Sequence, residues 1–482
     1  MLLLTLLTLF ACGGAPASGP DSSSSEDEGL NDSAPSAGDS AATDTTTTDT
    51  TADTSSDSGT TRDSGPPAEG LLGLSGPRPK NLLVISLDTT RRDWFERFGG
   101  PAPTPNIDAL FDAGVLLEDH RSCSNWTWTS MVCVQASQQE HALGWLAVGA
   151  ETLEGPPPEV VMGDDVLQGL GWRTLLVSSN PLLSVAAGTA YGFDEAHDVT
   201  GPDADSVNEV AYGLLETLAD SGAGPSWYLH LHYMQPHAPY DPPEAYLEGL
   251  EGLEAIGYDL DDAESFEAMT REYPLLSADE RALILEHLHV RYTGELRYAD
   301  DTIGALVDRA ESLGLLEDTL IVFLTDHGEQ LGEHGSLGHD DDLYDEENRS
   351  VAAFVAPGLA PAVWEGPTIH QDIWPTILHL LDVTPVEDFS GIIVGDRVGD
   401  EPRFAQRYKD TNTVQTVERS GLKLIYRWDG ARELYRVSSD AAEQKDLYDP
   451  EDPEVQALWA LLMPEVNAID ALAPVSPIDP GP

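Results

Sequence analysis

The segment Lys80-Asn81-Leu82-Leu83-Val84-Ile85-Ser86-Leu87-Asp88 constrains the fold most. Its side chains are apolar on both alternating faces, and it stops at a carboxylate. A strand buried on both faces belongs in a parallel sheet covered by helices, because an antiparallel sheet with one wet face would alternate apolar with polar. Gly171–Ser178, Trp227–Tyr233 and Thr319–Thr325 read as further strands of this kind. Helical patterns separate them, one starting at Pro105 and another running from Asp279 to Leu316. The predicted fold class is therefore α/β, a large central, mostly parallel sheet flanked by helices, over residues 80–384. From residue 385 to 482 the pattern changes to a hairpin, Leu422–Trp428 with Glu433–Val437, and a helix from Glu454 to Leu462, a small α+β subdomain. Sites in open α/β sheets lie beyond the carboxyl ends of the strands. Asp88, His237 and the pair Asp326-His327 all follow strands, so they converge there.

The chain ahead of this body has a different character. Leu2–Phe10 is apolar but shorter than the ~18 residues that suggest a spanning helix. It reads as the core of a signal peptide over residues 1–12, and Leu9-Phe10-Ala11-Cys12-Gly13 resembles the bacterial lipoprotein box, which implies lipidation of Cys12. Residues 13–79 are rich in Ser, Thr, Asp, Gly and Pro and read as a disordered tether. The expected protein is exported and lipid-anchored in the bacterial cell envelope, on the outer membrane or facing the periplasm, touching membrane only through that anchor. In that compartment Cys123 and Cys133 form a disulfide or remain two buried thiols; their spacing leaves both open.

Of 482 residues, 85 are acidic and 24 basic, a formal charge of −61. Such a surface repels nucleic acid, so that class of partner is excluded. A 41% hydrophobic content suffices for a sizeable core. Oligomeric state is not legible.

Several segments in order resemble the sulfatase family of the alkaline phosphatase superfamily. They are Leu87-Asp88-Thr89-Thr90-Arg91-Arg92-Asp93, Thr104-Pro105-Asn106-Ile107-Asp108, His232-Tyr233-Met234-Gln235-Pro236-His237, Asp326-His327-Gly328-Glu329 and Gly338-His339. The resemblance implies an alkaline-phosphatase-like fold and an ester hydrolase. It places Asp88, Asp326, His327 and Thr127 on metal-ligand positions and Thr127 on the nucleophile position. His237 then contacts the ester or leaving group, His339 protonates it or offsets charge on the transferring group, and Asn180 lines the pocket. The plainer reading of Thr127 is a helix cap. Trp126 and Trp128 form an apolar wall or pack in the core, and His230, His232 and His334 read as scaffold.

The Cys/Ser-x-Pro-x-Arg motif that sulfate-cleaving relatives mature to formylglycine is missing. Thr129 stands at its proline position, and Met131 where an Arg or His usually meets the ester. An unmodified threonine is typical of relatives acting on phosphate esters, so phosphate is favoured over sulfate. One imidazole with two carboxylates suits a single zinc or manganese ion rather than calcium. Asp340-Asp341-Asp342 reads as a solvated loop in preference to a second ion site. The expected substrate is a small anionic ester. Two alternatives keep the same residues: a ligand-binding pseudoenzyme, and a phospho-group transferase acting on envelope lipid or glycan.

Overall fold

The computed structural model describes residues 68–473 apart from 150–152, 200, 202, 223, 398–399 and 410–411. The signal peptide, Cys12 and most of the tether lie outside these residues. Built structure starts earlier than expected. Leu71 and Leu72 are buried against the sheet, Leu74 bridges to Leu359, and Arg78 donates to the carbonyl of His379 at 2.8 Å. The apolar pair Leu71-Leu72 after the polar tract is the signal for this.

An eight-stranded sheet organises the body. Its strands are β1 (Asn81–Leu87), β2 (Val115–Arg121), β3 (Arg173–Ser178), β4 (Glu195–Asp198), β5 (Trp227–Tyr233), β6 (Thr319–Thr325), β7 (Arg349–Val355) and β8 (Ala362–Ile369). The order is β8-β2-β7-β6-β1-β5-β3-β4, with β7 antiparallel to its neighbours β2 and β6 and the other pairs parallel. Leu83, Ile85 and Leu87 of β1 join one apolar cluster, while Leu82 and Val84 join the cluster on the opposite face. The two-faced pattern of the sequence is thus the period-2 alternation of a strand covered on both sides. At the sheet's edge, β8 accommodates Pro367, which a central strand would not.

Helices α1 (Pro105–Ala113), α2 (Thr127–Ala136), α3 (Ala204–Asp220), α4 (Ala278–Ser312) and α5 (Ile373–Leu380) belong to this layer. The long α4 starts at a capping box: the Ser277 amide donates to Glu280 Oε2 at 2.9 Å, and the Glu280 amide donates to Ser277 Oγ at 3.3 Å.

The C-terminal subdomain is larger than a hairpin. It is a four-stranded antiparallel sheet in the order β9 (Arg403–Arg407), β10 (Val414–Arg419), β11 (Leu422–Arg427), β12 (Arg432–Tyr435). Helix α6 (Pro453–Leu472) packs on it through Val455, Leu458, Leu462 and Val466. Among the described residues no helix is long and apolar enough to cross a membrane.

Candidate active site

Strands β1, β6 and β5 lie side by side, with Leu87 in register with Thr325 on one side and Tyr233 on the other. The residues just past their carboxyl ends therefore meet, and Asp88, Asp326 and His327 are completely buried there. One ligand atom from each lies within 4.8 Å of the others, the carboxylate–imidazole cluster seen among the described residues. Gly328 is required beside it, since a Cβ at that position would sit 2.1 Å from the Glu346 carbonyl oxygen.

The donor set fits a divalent cation. Asp326 Oδ1 accepts from the amides of Thr89 at 2.9 Å and His327 at 2.6 Å, whereas its Oδ2 is buried with no hydrogen-bond partner. His327 Nδ1 donates to the Gly328 carbonyl at 2.8 Å, which leaves the Nε2 lone pair facing the carboxylates. Burial pushes the Asp326 carboxyl well above its usual range, and the charge of Asp88 adds to this. Burial also opposes ionisation of Asp88, but the His232 hydrogen bond and the nearby His237 and His327 outweigh it and hold that carboxyl low. His327 is brought down to about 4, chiefly by burial, so it is neutral and able to ligate. Two buried carboxylates, an orphaned oxygen and a neutral imidazole satisfy one another only around a positive charge.

Thr127 is the first residue of α2, after an extended Trp126. The capping alternative is not what its side chain does: the cap residue is Trp126, and no side chain caps the helix. Thr127 Oγ1 instead lies 3.3 and 3.4 Å from the two Asp88 oxygens and 3.4 Å from His327 Nε2. Ser130, one turn on, donates to the Asp326 carbonyl at 2.7 Å and locks the helix to β6.

His237 and His339 face each other, Nε2 to Nε2, at 3.3 Å. Each Nδ1 points at a backbone carbonyl, Ala238 at 2.6 Å and Asn125 at 3.1 Å, so both Nδ1 atoms carry hydrogen. The Nε2 contact then needs one further proton. Burial, with His327 and His237 nearby, keeps His339 well below the usual imidazole range.

The comparison with known families decides the identity. A sulfatase family model matches residues 80–383, more than half of the chain. The chain belongs to the sulfatase family. Choline-sulfatase of Rhizobium meliloti is 29% identical over 189 residues, 37% of this chain and 35% of that protein, so the match spans about a third of that relative's length. A solved structure in complex with its substrate D-glucosamine-2-N,6-O-disulfate superposes with a TM-score of 0.68 at 16% identity, covering 81% of this chain and 98% of that one. Phosphonate monoester hydrolase from Silicibacter pomeroyi superposes at 0.62 with 19% identity, covering 82% and 96%. The sulfatase fold, an eight-stranded sheet with a small C-terminal sheet subdomain, is that of the sequence-based expectation.

The other residues singled out in the sequence take the following places. Asn180 donates to Asp88 Oδ2 at 2.6 Å and so orients a carboxylate. Met131 is buried in the sheet-facing cluster with Leu82 and Val84, and no cation replaces it from that helix. Trp126 and Trp128 are buried in a cluster with Trp145, the core-packing alternative. Cys123 and Cys133 are joined by a disulfide. The Asp340-Asp341-Asp342 loop is not simply solvated: Asp340 pairs with Arg407 and Lys409, Asp341 with Lys409, and Asp342 with Arg427. Opposite charges this distant in sequence, all 67 or more residues apart, leave no local pattern to read.

Two neighbours of the cluster escaped the sequence reading. His232 contacts Asp88 Oδ2 at 3.1 Å, and its Nδ1 is 2.8 Å from Ser86 Oγ. The His230/His232 pair, two apart on a strand, was the available signal, since both side chains share one face. Thr89 is the other, with φ +42, a left-handed conformation that a β-branched residue avoids. Its carbonyl accepts from Tyr292 Oη at 2.6 Å and its amide is held by Asp326, so the surroundings fix it.

Proposed function

We propose that this protein is a divalent-metal-dependent hydrolase of a small, singly charged ester, a sulfate monoester or phosphodiester, with Thr127 as nucleophile. The position of Thr127 Oγ1, within 3.4 Å of both Asp88 oxygens and of His327 Nε2 at the first residue of a buried helix, carries the reading. Asp88, Asp326 and His327, with Thr127, would hold the cation, whose chemistry is to stabilise an alkoxide and the charge on the transferred group. Zinc or manganese suits this set better than calcium.

Thr127 first gives its hydroxyl proton to solvent, and in the first step the alkoxide Oγ1 forms a bond to sulfur or phosphorus while the bond to the ester oxygen breaks in line. The amino end of α2 favours the developing alkoxide. The proton that His237 shares with His339 passes to the leaving oxygen. In the second step the same imidazole takes a proton from water, whose oxygen bonds to the sulfur or phosphorus as the bond to Thr127 Oγ1 breaks and restores the alkoxide.

Charge argues for a singly charged ester. Of the arginines near the site, Arg91 is paired with Asp93 and Glu333, and Arg407 with Asp340. Neither is left to offset a second negative charge on the transferred group. Export and lipidation at Cys12 are part of the proposal, and the Cys123–Cys133 disulfide supports an oxidising compartment.

The test is metal analysis together with turnover of 4-nitrophenyl sulfate, bis(4-nitrophenyl) phosphate and 4-nitrophenyl phosphate by wild type and Thr127→Ala. Thr127-dependent, chelator-sensitive turnover of either of the first two supports the reading. Metal-free protein without turnover of any of the three points to the binding alternative and overturns it.

A further inference from the structure

Arg407 ends β9 in the C-terminal subdomain, yet it reaches the active-site loops. Its guanidinium lies 4.0 Å over the ring of Trp126, the residue before Thr127. Its Nε pairs with Asp340, the residue after His339, and its Nη1 donates to the carbonyl of Ala147 at 3.0 Å. The side chain is 2% exposed. The next-but-one residue, Lys409, holds the other Asp340 oxygen at 3.1 Å.

Asp340 has φ +88, a conformation costly for a non-glycine residue. The two cations fix it there by holding both oxygens of its carboxylate. The same β9 end is bound to the nucleophile loop through its backbone, the Gln406 amide donating to the Cys123 carbonyl at 2.8 Å. His339 Nδ1 in turn donates to the carbonyl of Asn125 at 3.1 Å. The nucleophile segment 125–127 and the His339 segment are therefore joined directly, by His339 and by the Asn125 side-chain amide that donates to the Asp342 carbonyl, and also through Arg407.

We infer that Arg407 is a positioning residue, a buried bridge from the C-terminal subdomain that sets Thr127 against His339 by stacking on Trp126 and pairing with Asp340. The inference rests on the nucleophile reading above. A planar, permanently charged fork suits this task, because it stacks and donates at once, which an ammonium does not. Its charge is taken up by Asp340, so it orients the site without binding the ester.

The experiment compares wild type, Arg407→Gln, Arg407→Lys, Asp340→Asn and Thr127→Ala as the full chain. On whichever aryl ester is turned over, Arg407→Gln should lower kcat by about 10- to 100-fold, as the loss of a supporting hydrogen-bond partner does, with KM within about twofold. Arg407→Lys should recover only part of it, and added guanidinium should rescue an Arg407→Ala variant. Asp340→Asn should reproduce the loss, and combining it with Arg407→Gln should add little, because both break one bridge. Independently of turnover, amide hydrogen exchange over residues 124–131 should quicken at least several-fold in Arg407→Gln and in Asp340→Asn.

A folded Arg407→Gln or Asp340→Asn protein with wild-type exchange over that segment overturns the inference. So does a rise in KM alone, which would make Arg407 a substrate ligand. Turnover retained by Thr127→Ala, with exchange still quickened in Arg407→Gln, defeats the nucleophile reading and leaves the bridge standing.

Discussion

His232 Nε2 lies 3.1 Å from Asp88 Oδ2, with both side chains wholly buried. On its other side, His232 Nδ1 is 2.8 Å from Ser86 Oγ, and Ser86 Oγ is 2.9 Å from His230 Nε2. One direction of donation satisfies the row: His230 to Ser86, Ser86 to His232, His232 to Asp88. Asp88 thereby receives a proton donor on the oxygen that Asn180 also contacts. Outer contacts of this type keep a ligand ionised and aimed.

His232→Gln is expected to weaken divalent-ion affinity by about 10- to 100-fold while the protein stays folded. Competition with a fluorescent chelator measures it. Unchanged affinity would return His232 to the role of core filler.

The pH dependence of stability has a source outside the proposed metal ligands. Glu295 in α4 is buried, and burial raises its carboxyl to about 8, although the Asp241 amide donating at 2.8 Å pulls the other way. A folded-state value raised above the unfolded one means that the folded protein holds the proton more tightly. The stability from Glu295 is therefore complete below about pH 4.5 and is lost progressively as pH rises towards 8. Glu295→Gln should lessen the fall in Tm between pH 5 and pH 8 relative to wild type. Parallel Tm profiles for the two proteins would contradict this.

The disulfide between Cys123 and Cys133 closes a short loop that contains Thr127. Loop-closure entropy puts its contribution at about 2–3 kcal/mol. Cys123→Ala with Cys133→Ala should lower stability by that order in urea unfolding, and reductant should have no further effect on the double variant. A double variant as stable as wild type would show that packing alone holds the loop.

The central strands were legible because β1, β5 and β6 are buried on both faces, and burial on both faces writes itself as an apolar run. β7 and β2 were not read. The first is an ordinary alanine-rich segment, and the second ends in Glu118-Asp119-His120-Arg121, of which Asp119 and Arg121 are matched by Arg403 and Glu418 of the other subdomain. Asp88, Asp326 and His327 could be placed because topology alone carries strand ends together. His232, Thr89 and Arg407 could not. Their roles depend on a strand register, a backbone angle and a contact between subdomains, none of which leaves a pattern along the chain.

The central claim is a covalent intermediate on Thr127. Rapid acid quench during turnover of a slow aryl ester, followed by peptide mass analysis, tests it most directly. The account predicts that the peptide containing Thr127 gains the mass of one sulfuryl or phosphoryl group, and that Thr127→Ala gains none. An adduct on any other residue, or full turnover by Thr127→Ala, would contradict it.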